Sequence, residues 1–310
     1  MSKLCTRRTA LITGAATMVG GVAIGLGAAG PAKAIEPIAR GGGPKFKFSL
    51  AAYSYRDLFK PNNKFAKEAL SLHDFVEDCA KMQLDGTELT SYYFPSPVTN
   101  EYLTELRRHC FRLGLDVSGT AVGNDFCHPV GPRREREIAG VKQWIDHSAV
   151  LGAPVILIFS GSVKPQQTAD EAHRLAVAGM EECCEYAGKR GVHLALENHG
   201  GLTATAVGML TLVKDVQSPW FGVNLDTGNF HSDDIYGEIE RVAPYALNVQ
   251  VKVVVSGPDK KKQATDYVRI AKIMRDANYR GYVVLEYEEA GDPREECPAH
   301  LRQLRDAFEA

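Results

Sequence analysis

The stretch VHLALENHG, residues 192–200, decides the fold, because its apolar run ends abruptly at Glu197 and Asn198. Three later segments share this design: GVNLD at residues 222–226, NVQV at residues 248–251 and VVLE at residues 283–286. Each run has the length of a buried strand, and an amphipathic stretch of helical length separates it from the next. The alternation predicts parallel strands joined by helices.

Eight strand–helix units of this kind fill the chain from residue 45 onward. We expect strands at residues 46–55, 85–90, 115–122, 154–160, 192–198, 221–226, 248–255 and 282–288. We expect helices at residues 72–82, 101–113, 134–151, 169–190, 207–216, 235–242, 266–277 and 299–308. Eight units predict one (β/α)8 TIM barrel over residues 45–310. An open, doubly wound sheet would instead gather its polar residues at one switch point.

Composition and charge agree with a single enzyme-sized domain. The chain has 310 residues, of which 45% are hydrophobic, and a formal net charge of -2. This balance gives no electrostatic footprint for a nucleic acid or an anionic membrane surface. A local basic run, Lys260 to Lys262, is read as a solvated loop after the seventh strand.

The first 34 residues are predicted to lie outside the barrel. Arg7 and Arg8 precede a weakly hydrophobic, Gly- and Ala-rich stretch at residues 11–29, and Ala32-Lys33-Ala34 supplies an A-x-A cleavage site. The segment resembles a twin-arginine export signal. We therefore expect an exported, periplasmic or otherwise extracytoplasmic protein without a stable membrane anchor, and a flexible lead at residues 35–44.

The seven cysteines carry no assigned function. Cys5 lies in the expected signal, and the other six form no C-x-x-C pair and have no His at zinc-finger spacing. A zinc ribbon is excluded on that ground. An exported protein permits disulfides, but the sequence does not define their pairing.

The polar residues near the strand ends are predicted to share one face. Strand residues two apart point the same way, so Asn224 accompanies Asp226, Gln250 accompanies Lys252, and Glu286 accompanies Glu288. The intervening apolar residues would then face the helices: Val223, Leu225, Val249, Val251 and Leu285. Polar side chains at the carboxyl ends of barrel strands indicate chemistry rather than stability.

Four of these side chains have the character of ligands to one divalent metal ion. Glu197, Asp226, Gln250 and Glu286 would converge at the barrel mouth, where three carboxylates without a cation would repel one another. Carboxylate and amide oxygens suit a hard or borderline ion. We expect Mn²⁺ first, with Mg²⁺, Co²⁺ or Zn²⁺ as alternatives.

The motifs E-N-H-G-G, N-L-D-T-G-N, Q-V-K and L-E-Y-E, in this order, resemble the sugar phosphate isomerase/epimerase family of xylose-isomerase-like TIM barrels. The resemblance implies that Glu197, Asp226 and Glu286 bind the metal. Its third ligand is commonly a His in H-x-K-D, where this chain has Gln250 and keeps Lys252. That difference is closer to the dehydratase branch than to the epimerases.

Further site residues follow from their positions near the mouth. His199 and Lys252 are candidates for proton transfer and oxyanion stabilisation, and an ion pair with Glu286 or Glu288 is the alternative for Lys252. Asn229 stands where many epimerase-like members have His, and His231 either takes over that role or is a surface residue. The candidate substrate-binding residues are Glu88, His128, Asn229, His231 and Tyr53.

The constellation predicts removal of a proton next to a carbonyl group, with Glu197 or Glu286 as the base, through an enediolate. We expect an isomerase or epimerase of an unphosphorylated sugar or keto-sugar. The alternatives are a lyase, dehydratase or hydratase of keto-sugars or keto-glycosides, and a non-catalytic carbohydrate-binding barrel. An endonuclease would need further metal ligands and a basic surface. Members of the family often associate, so a homo-oligomer stays open.

Overall fold

The barrel predicted from the alternating pattern is present. The computed structural model describes residues 35–310, in which eight parallel strands close in the order β1-β10-β7-β6-β5-β4-β3-β2. Their bounds are β1 (Lys45–Ala51), β2 (Gly86–Thr90), β3 (Asp116–Ala121), β4 (Val155–Ile158), β5 (His193–Glu197), β6 (Phe221–Asp226), β7 (Ala246–Lys252) and β10 (Arg280–Glu286). The remaining strands, β8 (Val254–Ser256) and β9 (Lys262–Ala264), pair antiparallel outside the barrel.

Eight helices surround these strands. They are α1 (Leu72–Lys81), α2 (Asn100–Arg112), α3 (Pro132–Leu151), α4 (Ala169–Gly188), α5 (Ala206–Asp215), α6 (Ile235–Val242), α7 (Tyr267–Asp276) and α8 (Pro293–Glu309). Local sequence defines several starts. Ser71 and Asp74 form a reciprocal capping box on α1, and Thr168 and Glu171 form another on α4. Such caps satisfy backbone N–H groups that the first helical turn leaves free.

The layer between strands and helices holds the apolar core. The five residues expected to face the helices, Val223, Leu225, Val249, Val251 and Leu285, are fully buried and belong to the core cluster. Burying one such side chain contributes roughly 1.5–3 kcal/mol. The polar members of the same strands consequently point into the barrel.

Several boundaries differ from the expectations by one or two residues, and three elements differ by more. The first strand ends at Ala51, and residues 52–55 form a 3-10 helix. The expected seventh strand, residues 248–255, is divided into β7 and β8. Lys262 of the basic run lies in β9 rather than in a loop. The last helix begins at Pro293 instead of residue 299, because Asp292 caps it and Pro293 occupies the first turn, where a missing N–H costs nothing.

The segment before the barrel has no helix or strand at residues 35–44, and it is hydrogen-bonded to the rest of the chain. Ile38 N donates to Pro244 O at 3.0 Å, and Arg280 Nη1 donates to Gly42 O at 3.0 Å. The expected export signal, residues 1–34, lies outside the described residues. Within residues 35–310, no helix has both the length and the apolar character needed to cross a membrane. The six cysteines of this part of the chain are free and buried.

Candidate functional site

A cavity of about 460 Å³ opens at the carboxyl ends of the barrel strands. Six of the residues predicted for the site line it: Tyr53, Glu197, His199, Gln250, Lys252 and Glu286. Asp226 is not among the lining residues. Aromatic side chains, Tyr53, Tyr92 and Phe159, form part of the wall. The cavity has the size and the mixed polar and aromatic lining of a small-molecule site.

Lys252, at the end of β7, is the electrostatic centre of this cavity. Its Nζ lies 3.2 Å from Asp226 Oδ2, 2.8 Å from Glu286 Oε2 and 2.9 Å from Glu288 Oε1. Burial alone would lower the pKa of Lys252, but these carboxylates raise it well above its ordinary value. The ion pairs that the sequence offered as the alternative for Lys252 are therefore present.

Asp226, which ends β6, is completely buried and has one oxygen without a hydrogen bond. Its Oδ1 accepts a hydrogen bond of 2.7 Å from the backbone N–H of Gly228. Its Oδ2 lies within ion-pair distance of Lys252, but the geometry of that contact is not a hydrogen bond. A buried carboxylate oxygen without a hydrogen bond is costly unless it interacts with a cation, and Lys252 is the cation beside this one.

Glu197 and Glu286 are the two buried carboxyl groups that line the cavity. Burial raises the pKa of Glu197 well above its ordinary value, and the nearby charges of Asp226 and Glu286 raise it further. Burial also raises the pKa of Glu286, against the opposing effect of Lys252. Asn229 donates to Glu197 Oε1 at 3.0 Å, so it orients this carboxyl group. Burial therefore favours the protonated form of both carboxyl groups.

Below the mouth, Gln250 belongs to a buried polar network. Its Nε2 donates to Glu88 Oε2 at 2.6 Å, and its Oε1 accepts from Asn224 Nδ2 at 2.8 Å. Asn248 Nδ2 donates to Glu88 Oε1 and to Asn224 Oδ1, both at 2.8 Å. Burial raises the pKa of Glu88 to about 7. The network fixes which end of the Gln250 amide carries the oxygen.

Four of the five residues predicted to bind substrate do not line the cavity, and Asn229, which contacts Glu197, is one of them. Glu88 is buried beneath Gln250, and both of its oxygens are occupied by the network. His128 lies 3.8 Å from Asp125 in the loop after β3. His231 is an exposed loop residue whose Nδ1 lies 3.1 Å from Ser256 O. The structure thus places Glu88, His128 and His231 outside the cavity lining, and their substrate-binding roles stay predictions.

The donor atoms of the mouth are of the type that suits a divalent ion, but Lys252 lies between two of them and they are not gathered around one point. The set offers carboxylate oxygens from Glu197, Asp226 and Glu286 and the amide oxygen of Gln250, and Oδ2 of Asp226 is free of hydrogen bonds. Such oxygens suit Mn²⁺ or Mg²⁺. In the described part of the chain, no three His, Cys, Asp or Glu side chains are grouped so that they could hold an ion.

Several residues of the site were not predicted. Asn248 and Tyr92 received no role, although the period of two that placed Gln250 inside the barrel also places Asn248 there. Tyr92 and Phe159 follow strand ends in loops, where no periodic signal identifies residues that face a cavity.

The fold and the cavity define a parallel (β/α)8 barrel with a polar site at the carboxyl ends of its strands. The chain belongs to the xylose isomerase-like TIM barrel family, whose sequence profile matches residues 76–307. Among proteins with curated functions, the sequence has no match.

Solved structures with the same fold include sugar epimerases and a dehydratase. The D-psicose 3-epimerase from Clostridium cellulolyticum H10 is 19% identical, with a TM-score of 0.70 over 85% of this chain and 100% of that one. The 3-keto-D-glucoside 4-epimerase from E. coli is 16% identical, with a TM-score of 0.64 over 84% and 100%. A protein from Bacillus anthracis described as the probable 3-DHS dehydratase is 17% identical, with a TM-score of 0.63 over 83% and 98%. At these identities the likeness establishes the fold alone.

Proposed function

We propose that this protein is a metal-dependent isomerase or epimerase that moves a proton at the carbon next to the carbonyl group of an unphosphorylated sugar or keto-sugar. The observation that supports it most directly is the pair of buried carboxyl groups, Glu197 and Glu286, that line one cavity with raised pKa values. One carboxylate takes the proton from carbon and the other carboxyl group returns a proton, which inverts or relocates the centre.

One divalent ion, with Mn²⁺ as the first choice, would be held by Glu197, Asp226, Gln250 and Glu286. When bound, the ion supplies a Lewis acid that lowers the cost of removing the proton beside the carbonyl group. Asn229 orients Glu197, and Tyr53, Tyr92 and Phe159 give the cavity an aromatic lining.

The charge of the cavity supports an unphosphorylated substrate. Lys252 is the only Lys or Arg among the described residues that line it, and three carboxylates already neutralise its ammonium. A phosphate group is usually bound by uncommitted Arg or Lys side chains or by backbone N–H groups at a helix N-terminus. A neutral sugar carries no charge and therefore needs no such cationic group.

Elimination by a lyase or dehydratase is the second candidate, and His199 favours it. His199 lines the cavity two residues after Glu197, and its ring packs against Phe159 with the centroids 5.0 Å apart. An imidazole that lines the same cavity as the carboxyl groups can supply an acid for a leaving group beta to the carbonyl.

Two measurements test the proposal. The first is the metal content of the protein beside an Asp226→Ala/Glu286→Ala double variant, where about one ion per chain in the former and none in the latter is expected. The second is incubation with ketoses and 3-keto-glucosides in deuterated water. Epimerisation incorporates one deuterium at carbon without other mass change, whereas elimination removes water or an alcohol. Sugar binding that survives chelation and Glu286→Gln, without turnover, would instead indicate a carbohydrate-binding barrel.

A further inference from the structure

The ammonium group of Lys252 occupies the space between two of the proposed metal ligands. It contacts Asp226 and Glu286 at 3.2 and 2.8 Å, while the Lys252 side chain is 11% exposed and that of Asp226 is 0% exposed. A buried cation at this distance compensates carboxylates that would otherwise repel one another. Lys252 therefore acts as a counter-ion built into β7.

A divalent ion bound by the same carboxylates would lie close to this ammonium. Two positive charges a few ångströms apart in a poorly hydrated site repel strongly. Asp226 and Glu286 consequently interact fully with either the ion or Lys252, but not with both.

Glu288 offers the ammonium another partner. It lies two residues beyond the end of β10, its side chain is 36% exposed, and its Oε1 is 2.9 Å from Lys252 Nζ. Glu288 does not belong to the proposed ligand set. The lysine side chain has four flexible methylene groups, so its charged end can stay with Glu288 while it leaves the two buried carboxylates.

We propose that Lys252 and the divalent ion are alternative partners of Asp226 and Glu286, with Glu288 retaining the ammonium when the ion is bound. This inference rests on the proposed function of the mouth as a metal site. Lys252 lowers the affinity of the site for metal, and it stabilises the fold when no ion is present.

Lys252→Met tests the proposal, because methionine keeps an unbranched apolar stem and removes the charge. In the full-length protein, we expect Lys252→Met to bind Mn²⁺ at least tenfold more tightly by calorimetry. We also expect its thermal midpoint to be lower than that of the unmodified protein in EDTA, and this gap to close in excess Mn²⁺. Lys262→Met is the matched control, because Lys262 pairs with Glu289 at 2.7 Å with its side chain 62% exposed. This control should change neither quantity.

Glu288→Gln provides an independent test that does not depend on how Lys252→Met folds. Without Glu288, the ammonium has only Asp226 and Glu286 as partners, so Mn²⁺ affinity should fall several-fold. Unchanged or weaker Mn²⁺ binding by folded Lys252→Met would overturn the inference, and so would unchanged Mn²⁺ binding by Glu288→Gln. If turnover still depends on Mn²⁺ in those cases, the proposed function stands. The failure of every variant to bind Mn²⁺ overturns both.

Discussion

Asn198 and Asp226 are joined by a reciprocal pair of hydrogen bonds between neighbouring strand ends. Asn198 Nδ2 donates to the Asp226 carbonyl oxygen at 2.8 Å, and the Asp226 N–H donates to Asn198 Oδ1 at 2.9 Å. Both residues are completely buried. The pair fixes the end of β6 against the end of β5, and it thereby holds the carboxyl groups of Glu197 and Asp226 side by side.

Asn198→Ala should loosen this junction. Each buried backbone group left without a partner costs about 1–3 kcal/mol, so urea denaturation should show a lower free energy of unfolding. Because Asp226 is then less well placed, we expect Mn²⁺ affinity by calorimetry to fall at least tenfold.

Asn124→Ala is the matched control. Asn124 makes the same reciprocal pair with Phe159, with distances of 2.8 and 2.9 Å, but it contacts no proposed ligand. It should lower the free energy of unfolding similarly and leave Mn²⁺ affinity within about twofold. Equal losses of affinity in both variants would show that the Asn198 pair has no special role.

Glu88→Ala should destabilise the barrel interior. The change leaves Gln250 Nε2 without its acceptor and removes one of the two acceptors of Asn248 Nδ2, and an unsatisfied buried group costs about 1–3 kcal/mol. Glu88→Gln keeps an acceptor oxygen and the side-chain volume, so its loss should be smaller. Urea denaturation at pH 8 compares the two variants, and equal stability of Glu88→Ala and the unmodified protein would contradict the role of this network.

Gly161→Ala should distort one wall of the cavity. Gly161 has a φ of +97°, and a Cβ there would lie 2.0 Å from Asp125 Oδ1. We expect a lower free energy of unfolding, by about 1–3 kcal/mol, together with weaker sugar binding. Gly140 lies inside α3 with open space around its Cβ position. Gly140→Ala should therefore stabilise the protein by about 0.5–1 kcal/mol, and the same loss in both variants would refute the steric argument.

His193 should make the protein less stable in mild acid. Burial lowers the pKa of His193 below its ordinary value of 6.5, so the unfolded chain takes up the proton first as the pH falls. Its contribution to stability is complete above pH 6.5, decreases as the pH falls from there, and levels off below the folded-state pKa.

The variant His193→Gln removes this contribution. The difference in the free energy of unfolding between pH 8.0 and pH 5.5, measured with urea, should become smaller. His231→Gln is the control, because that side chain is exposed in a loop. An unchanged difference in His193→Gln would show that His193 is not a source of the pH dependence.

Much of the barrel could be predicted because the apolar run of a strand stops at a polar residue, which marks where the strand ends. For β6 the predicted and observed bounds coincide at residues 221 and 226, since the apolar run stops at a buried acid that the mouth requires. The start of α8 was misplaced because Pro298 lies inside the helix, whereas a proline usually marks a first turn. A local sequence pattern therefore predicts that a helix or strand is present more reliably than it predicts an unusual feature such as a proline inside a helix.

The contacts within the site depend on how neighbouring strands are offset, which no single strand encodes. The pairing of β6 with β7 shifts between Val223 and Asn224, so that Asp226 lies opposite Gln250. Alternation correctly placed Gln250 and Lys252 on one face. It could not reveal that Lys252 also reaches Asp226, or that Glu88 is buried outside the cavity lining.

Gln250 joins Glu88 to Asn224 by hydrogen bonds to both, so a change at one of these three positions affects the other two. Replacing Gln250 alone with the histidine common among similar barrels would remove the acceptor of the Asn224 Nδ2 amide. It would also remove the Gln250 N–H donor to Glu88. We therefore expect these three positions to vary in concert among descendants of the same ancestor. A laboratory conversion to the histidine form would correspondingly require a coordinated triple exchange.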